Sequence, residues 1–179
     1  QRVLDLGCGT GTLALRVKEA CPGAEVTGFD ADPRMLRAAA AKAKRRGLPV
    51  SLDRGFAQAL PYPKGTFDRV VSSLFFHHLP PEAKAAALRE AHRVLAPGGE
   101  LHFADGGRPA GPLMWFLFLG IRLLDGFPNT AAHARGELPD LVSAAGFVKV
   151  RAGERFRTLF GTMQLISAVR SDASVAVGA

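Results

Sequence analysis

The sequence predicts an α/β fold, a doubly wound and mostly parallel sheet, on three observations. The apolar run Val3-Leu4-Asp5-Leu6 leads straight into a loop with glycine at positions 7, 9 and 11, and a helix-like segment follows. One strand and one helix later, the β-prone run Ala24-Glu25-Val26-Thr27-Gly28-Phe29 ends in Asp30. Strand and helix patterns then keep alternating through the first hundred residues, and that rhythm implies parallel strands with helices on both faces.

Taken in order, strands read at about 2–6, 25–29, 49–53, 67–73 and 99–105, and helices at about 11–20, 32–46 and 82–95. Val3-Leu4-Asp5-Leu6 and Arg69-Val70-Val71-Ser72-Ser73-Leu74 are short apolar runs suited to the buried centre of the sheet. The second helix ends in Lys42, Lys44, Arg45 and Arg46 before Gly47, where cations complement the helix dipole and glycine allows the chain to turn. Pro80-Pro81-Glu82 fits a helix start, and Pro97-Gly98-Gly99 stops that helix and turns into the next strand. Gly106 to Asn129 breaks the rhythm, so the chain carries an apolar insertion at about 108–130 within a domain of residues 1–170. Its Leu113–Leu124 run is too short to span a bilayer and suits a buried helix, a lid over an apolar acceptor or a membrane-surface element. A helix at about 135–145 and strands at about 147–151 and 158–170 follow, and residues 171–179 read as a flexible tail.

The glycine loop presents bare backbone where a side chain would block a ligand. Its spacing is G-x-G-x-G. The dinucleotide fingerprint would place its third glycine at position 12, which is Thr12, so the loop argues for a nucleoside cofactor other than NAD. Asp30 lies at about the interval expected for a ribose-binding carboxylate, whose two oxygens can accept both hydroxyl protons of the diol. Read alone, Asp30 could equally be a helix cap or a loop residue.

Leu4-Asp5-Leu6-Gly7-Cys8-Gly9-Thr10-Gly11 resembles motif I of the class I S-adenosylmethionine-dependent methyltransferases. Gly28–Leu36 is similar to the family's second-strand acidic motif, Leu60–Pro63 with Thr66–Ser73 to its fourth-strand region, and Glu90–Leu101 to the turn into its fifth strand. The nearest likeness is to the small-molecule branch of the ubiquinone/menaquinone-biosynthesis type. The resemblance implies a Rossmann-like sheet of about seven strands with an antiparallel C-terminal strand, S-adenosyl-L-methionine as cofactor, and methyl transfer to a small apolar or aromatic acceptor. It also implies cofactor contacts at Asp5, Gly7, Cys8, Gly9, Asp30, Ala31, Met35 and the backbone at Ser72–Ser73. Where many relatives carry an Asp after the third strand, this chain has Phe56, followed by Ala57 and Gln58. Adenine would then stack on Phe56, use the Ala57 amide or reach Gln58. Asp5 has a competing use, satisfying loop amides.

On the acceptor side, His77 and His78 follow the fourth strand at the rim where open α/β sheets bind ligands. Histidine is a natural base near neutral pH, although the two imidazoles could instead cap the following helix. Asp105 faces the same rim, and Trp115 of the insertion is a candidate for the acceptor pocket. No catalytic residue is assigned.

The 179 residues suffice for one domain with a sizeable core. Net charge is +7, but the basic residues are dispersed and lack aromatic interleaving, so no nucleic-acid partner is expected. The fourth-strand Ser72-Ser73-Leu74-Phe75 lacks the Asn/Asp-Pro-Pro-Tyr pattern of base-flipping methyltransferases. A cofactor-binding interaction domain without catalysis and a nucleic-acid methyltransferase are the alternatives. Two cysteines, Cys8 and Cys21, fit a reducing cytoplasm and no metal site. No transmembrane segment is expected, and peripheral membrane contact stays open. The chain enters a core strand directly after Gln1, with no initiator Met, and reads as the N-terminally truncated part of a longer protein.

Overall fold

A computed structural model describes residues 1–106, 135–158 and 161–171. The expected insertion at 108–130, Trp115 within it, and residues 172–179 of the expected tail lie outside the described residues. Strands β1 (Arg2–Leu6), β2 (Glu25–Asp30), β3 (Ser51–Arg54), β4 (Phe67–Ser73), β5 (Leu95–Gly106), β6 (Phe147–Thr158) and β7 (Gly161–Arg170) form one sheet. Its order is β3-β2-β1-β4-β5-β7-β6. The first five strands run parallel, and β7 pairs antiparallel with both β5 and β6. β1 lies between β2 and β4, with Leu4 opposite both Thr27 and Val70. The expected doubly wound sheet with an antiparallel C-terminal strand is therefore present.

Helices α1 (Thr12–Ala20), α2 (Pro33–Arg46), α3 (Pro81–Val94) and α4 (Leu138–Ala144) lie among the described residues. Alternation along β1 sends Leu4 and Leu6 to one face and Val3 to the other. Leu4 and Leu6 join Val70, Leu101, Phe103 and Ile166 under Ala87, Leu88, Ala91 and Val94 of α3 and Leu138 and Val142 of α4. Val3 packs with Val26, Ala24 and Ala14 of α1. Each fully buried leucine or phenylalanine stabilises the fold by about 1.5–3 kcal/mol relative to exposure. Helix boundaries follow local chemistry. Asp32 caps α2 by accepting from the Arg34 N–H at 2.7 Å, and Gly47 ends it at φ +65°.

Some boundaries differ from the sequence reading. β5 begins at Leu95, because Leu95 pairs with Phe67 ahead of a register shift. β6 runs on to Thr158, well past 151, and β7 starts at Gly161 rather than near 158. β6 is the sheet edge, so its polar Gly153-Glu154-Arg155 stretch faces little apolar demand. α4 spans 138–144 within the expected 135–145. A single 3-10 turn at Phe76–His78, not expected from sequence, places the two histidines. No helix among the described residues is long and apolar enough to cross a membrane.

Candidate cofactor and acceptor site

Two recesses meet at the glycine loop, beyond the C-terminal ends of the parallel strands, where open α/β sheets bind ligands. One is lined by Gly7, Phe29, Asp30, Ala31, Gly55, Phe56, Ala57, Gln58, Phe75 and Leu79. The other is a cavity of about 220 Å³ lined by Asp5, Gly7, Cys8, Thr12, Leu13, Arg16 and Ser73. Gly7 belongs to both.

The loop itself is built from backbone needs. Gly7, Gly9 and Gly11 all take positive φ, at +70°, +52° and +72°. At Gly7 a Cβ would stand 2.2 Å from the ring of Phe75, so only glycine lets that ring lie on the loop. The Gly7 and Cys8 amides both donate to the Phe29 carbonyl, tying the loop to the end of β2. Lys42 reaches back from α2 to the hydroxyls of Thr10 and Thr12, at 3.0 and 2.9 Å. One member of the basic cluster is therefore a clamp on the loop rather than part of a solvated helix end.

Asp30 is engaged through both oxygens. Oδ2 accepts from the Gly9 N–H at 2.8 Å and Oδ1 from the Asp32 N–H at 2.9 Å. The helix cap is Asp32, so the capping alternative for Asp30 does not hold. Each carboxylate oxygen has a second acceptor site, leaving Asp30 able to take further donors from the recess that it lines.

Asp5 is 1% exposed. Its Oδ2 accepts from the Ala14 N–H of α1 at 2.8 Å, as the amide-satisfying reading expected. Its Oδ1 has no hydrogen-bond partner, and Asp5 lines the second recess. Burial pushes its carboxyl up to about 7; the Ala14 N–H opposes the shift and the negative charge of Asp30 adds to it. Ser72 donates to the Leu6 carbonyl at 2.7 Å, and Ser73 faces the recess. Cys8 also lines it, but burial raises its thiol to about 12, so it is an inert lining group.

Phe56 is 72% exposed and borders the first recess beside Ala57 and Gln58, as stacking on a flat base requires. Met35, in the first turn of α2, is 38% exposed and is not among the residues that line this recess.

At the rim, Asp105 of β5 is 1% exposed and organises the histidine turn. Its Oδ2 accepts from the Phe76 N–H at 2.7 Å, and its Oδ1 lies 2.7 Å from His77 Nδ1. A carboxylate there accepts from Nδ1–H, so the neutral ring carries its lone pair on Nε2. The His78 ring lies 3.9 Å from that of His77. α3 starts at Pro80-Pro81, and its N-cap residue Pro80 supplies no side-chain cap. Sequence reading noted Asp105 but not its pairing with His77, and it did not assign Thr12, Leu13, Arg16 or Phe75 to the lining of the site. The available signal for Arg16 was its spacing of four from Thr12 on one helix face.

His92 and His102 are not among the residues that line either recess. His92 stands edge-on to Phe147, and His102 pairs with Glu100 at 2.7 Å. Tyr62 gains a packing role, edge-on to Phe29 and Phe67 with its hydroxyl 2.8 Å from Asp53. No group of metal-binding side chains occurs among the described residues.

Residues 3–99 match the family model of the methyltransferase domain. A demethylmenaquinone methyltransferase of Thermus thermophilus is 50% identical over 101 residues, covering 56% of this chain and 45% of its own length. A ubiquinone/menaquinone biosynthesis C-methyltransferase of Syntrophotalea carbinolica is 32% identical over 167 residues, covering 84% of this chain and 70% of its own. The crystal structure of a SAM-dependent methyltransferase from Methanosarcina mazei superposes with a TM-score of 0.75 at 25% identity, covering 95% of this chain and 92% of that one. The matches span about half the length of the first curated relatives, 45% and 48%. On the domain match and these relatives, the chain belongs to the class I S-adenosylmethionine-dependent methyltransferase family, in its ubiquinone/menaquinone-biosynthesis branch.

Proposed function

We propose that this chain binds S-adenosyl-L-methionine across the two recesses and transfers its methyl group to a small aromatic acceptor of the quinol or phenol class. The observation that carries the reading is the pair of carboxylates, one in each of two recesses that share Gly7. Asp30 lies in one recess with spare acceptor sites, and Asp5 lies in the other with an orphaned Oδ1. A cofactor with a ribose diol at one end and an ammonium at the other fits both.

When bound, the cofactor supplies an activated methyl on a positively charged sulfur. The chain's own work is then positioning, which can supply roughly 7–11 kcal/mol of a barrier. Asp30 takes the ribose hydroxyls, and Phe56 offers an exposed aromatic face to the adenine, with Ala31 and Ala57 flanking. Gly7, Cys8 and Gly9 give close backbone approach in the middle, and Asp5 with Ser73 takes the ammonium. His77 lies at the acceptor rim, and its pairing with Asp105 sets the tautomer and orientation of the ring. Its Nε2 accepts the hydroxyl proton of the acceptor as methyl transfer raises electron demand at the ring. His78 packs on His77 and shapes the same rim.

The printed names of the relatives favour a quinone-type acceptor. A small-molecule partner is part of this proposal, and so are a cytoplasmic location and peripheral contact with a membrane that carries such a substrate. The test is transfer of a labelled methyl group from S-adenosylmethionine to a panel of quinols and phenols, with a DNA duplex and a tRNA as controls. Label on a quinol or phenol alone supports the proposal. Label on nucleic acid alone, or tight cofactor binding with no transfer to any acceptor, would turn the reading to one of its alternatives.

A further inference from the structure

We propose that Arg16 holds the carboxylate of the cofactor's amino-acid tail, so that the second recess reads both charges of a zwitterion. The inference rests on the cofactor reading above and adds to it a residue that decides which nucleosides the site accepts. The recess is lined both by Asp5, buried, with Oδ1 unpartnered, and by Arg16 of α1. A recess that holds an acidic and a basic side chain suits an α-amino acid, which carries both charges on one carbon. Asp5 matches the ammonium, and the planar fork of Arg16 matches the carboxylate with two parallel N–H donors.

Local structure supports the assignment. Thr12 and Arg16 are four apart on α1 and share its recess-facing side, while Ala14 and Leu15 point into the core. The neighbouring cations are committed elsewhere. Lys18 donates to the Pro22 and Ala24 carbonyls, Lys42 to Thr10 and Thr12, and Arg46 pairs with Glu19. Arg16 has no hydrogen-bond or ion-pair partner among the described residues, and its side chain is exposed. It is therefore the cation at this end of the loop that a carboxylate can engage without breaking an existing contact.

The consequence is selectivity for an intact amino-acid tail. S-adenosylhomocysteine and 5′-methylthioadenosine share the nucleoside and the thioether sulfur, but only the former carries the two charges. Calorimetric titration of the chain with each ligand, in parent, Arg16→Ala and Arg16→Lys forms, separates the contributions. Loss of charge-assisted hydrogen bonds at an exposed site predicts about a tenfold weaker S-adenosylhomocysteine affinity in Arg16→Ala. It predicts unchanged 5′-methylthioadenosine affinity, and partial recovery in Arg16→Lys. Equal losses for both ligands, or no loss for either, would overturn the inference. An Asp30→Ala control keeps the two readings apart. If Asp30→Ala weakens both ligands while Arg16→Ala weakens neither, the cofactor reading stands and the role of Arg16 falls. If the parent binds neither ligand, both fall together.

Discussion

Replacing Asp5 by Asn should stabilise the free chain above neutral pH while impairing its cofactor site. The carboxyl is 1% exposed and held up at about 7, chiefly by burial. Its unfolded value is near the ordinary Asp value of about 3.9. Between these values the folded state keeps a proton that the unfolded state has lost, so stability falls as pH rises. The cost is absent below about 4, grows through the window from about 4 to 7, and is constant above it. A span of that width corresponds to roughly 4 kcal/mol as an upper scale. Asn retains an oxygen to accept from the Ala14 N–H and carries no charge. Urea denaturation at a series of pH values should therefore show the Asn variant more stable by roughly 2–4 kcal/mol at pH 8, with the gap closing toward pH 4. The same variant should bind S-adenosylhomocysteine more weakly, because an amide does not pair with the ammonium as a carboxylate does. In the parent, affinity should rise with pH up to about 7, since ammonium binding requires the ionised form. Parallel stability profiles for parent and variant across this range would refute the reasoning.

Three other predictions follow from the same geometry. Gly7→Ala puts a methyl against the Phe75 ring at positive φ and should cost about 2–4 kcal/mol, read from thermal melts; Phe75→Ala in the same chain should recover part of the loss. Asp30→Ala should weaken S-adenosylhomocysteine by about 1.5–3 kcal/mol in calorimetry, and it also frees the Gly9 amide that Asp30 now holds. Asp105→Asn should slow methyl transfer by about 10²-fold or more with cofactor affinity unchanged; equal turnover in the variant would remove the His77 pair from the chemistry.

What could be read from the sequence was what the backbone or the local pattern demands. The glycine loop was legible because each of its glycines takes positive φ, and Asp30 because it ends a strand at a fixed interval from that loop. The parallel run of the first five strands followed from strand–helix alternation. Less legible were features set by distant partners. The Asp105 carboxylate, 28 residues beyond His77, pairs with its ring, and no local pattern around the histidines announces that partner. Lys42 looked like one more charge at a helix end, yet it clasps two hydroxyls on the loop 30 and 32 residues earlier. β6 was read as too short because its outer half is polar, and only its pairing with β7 makes it a strand. Arg16 resembled any solvated arginine until the orphaned oxygen of Asp5 was placed in the same recess.

The most direct test of the central claim is a calorimetric titration of the chain with S-adenosylhomocysteine, with NAD as the control. The paired recesses predict one-to-one, micromolar binding of S-adenosylhomocysteine and no heat with NAD. Binding of NAD in place of S-adenosylhomocysteine, or of neither by a correctly folded chain, would contradict the account.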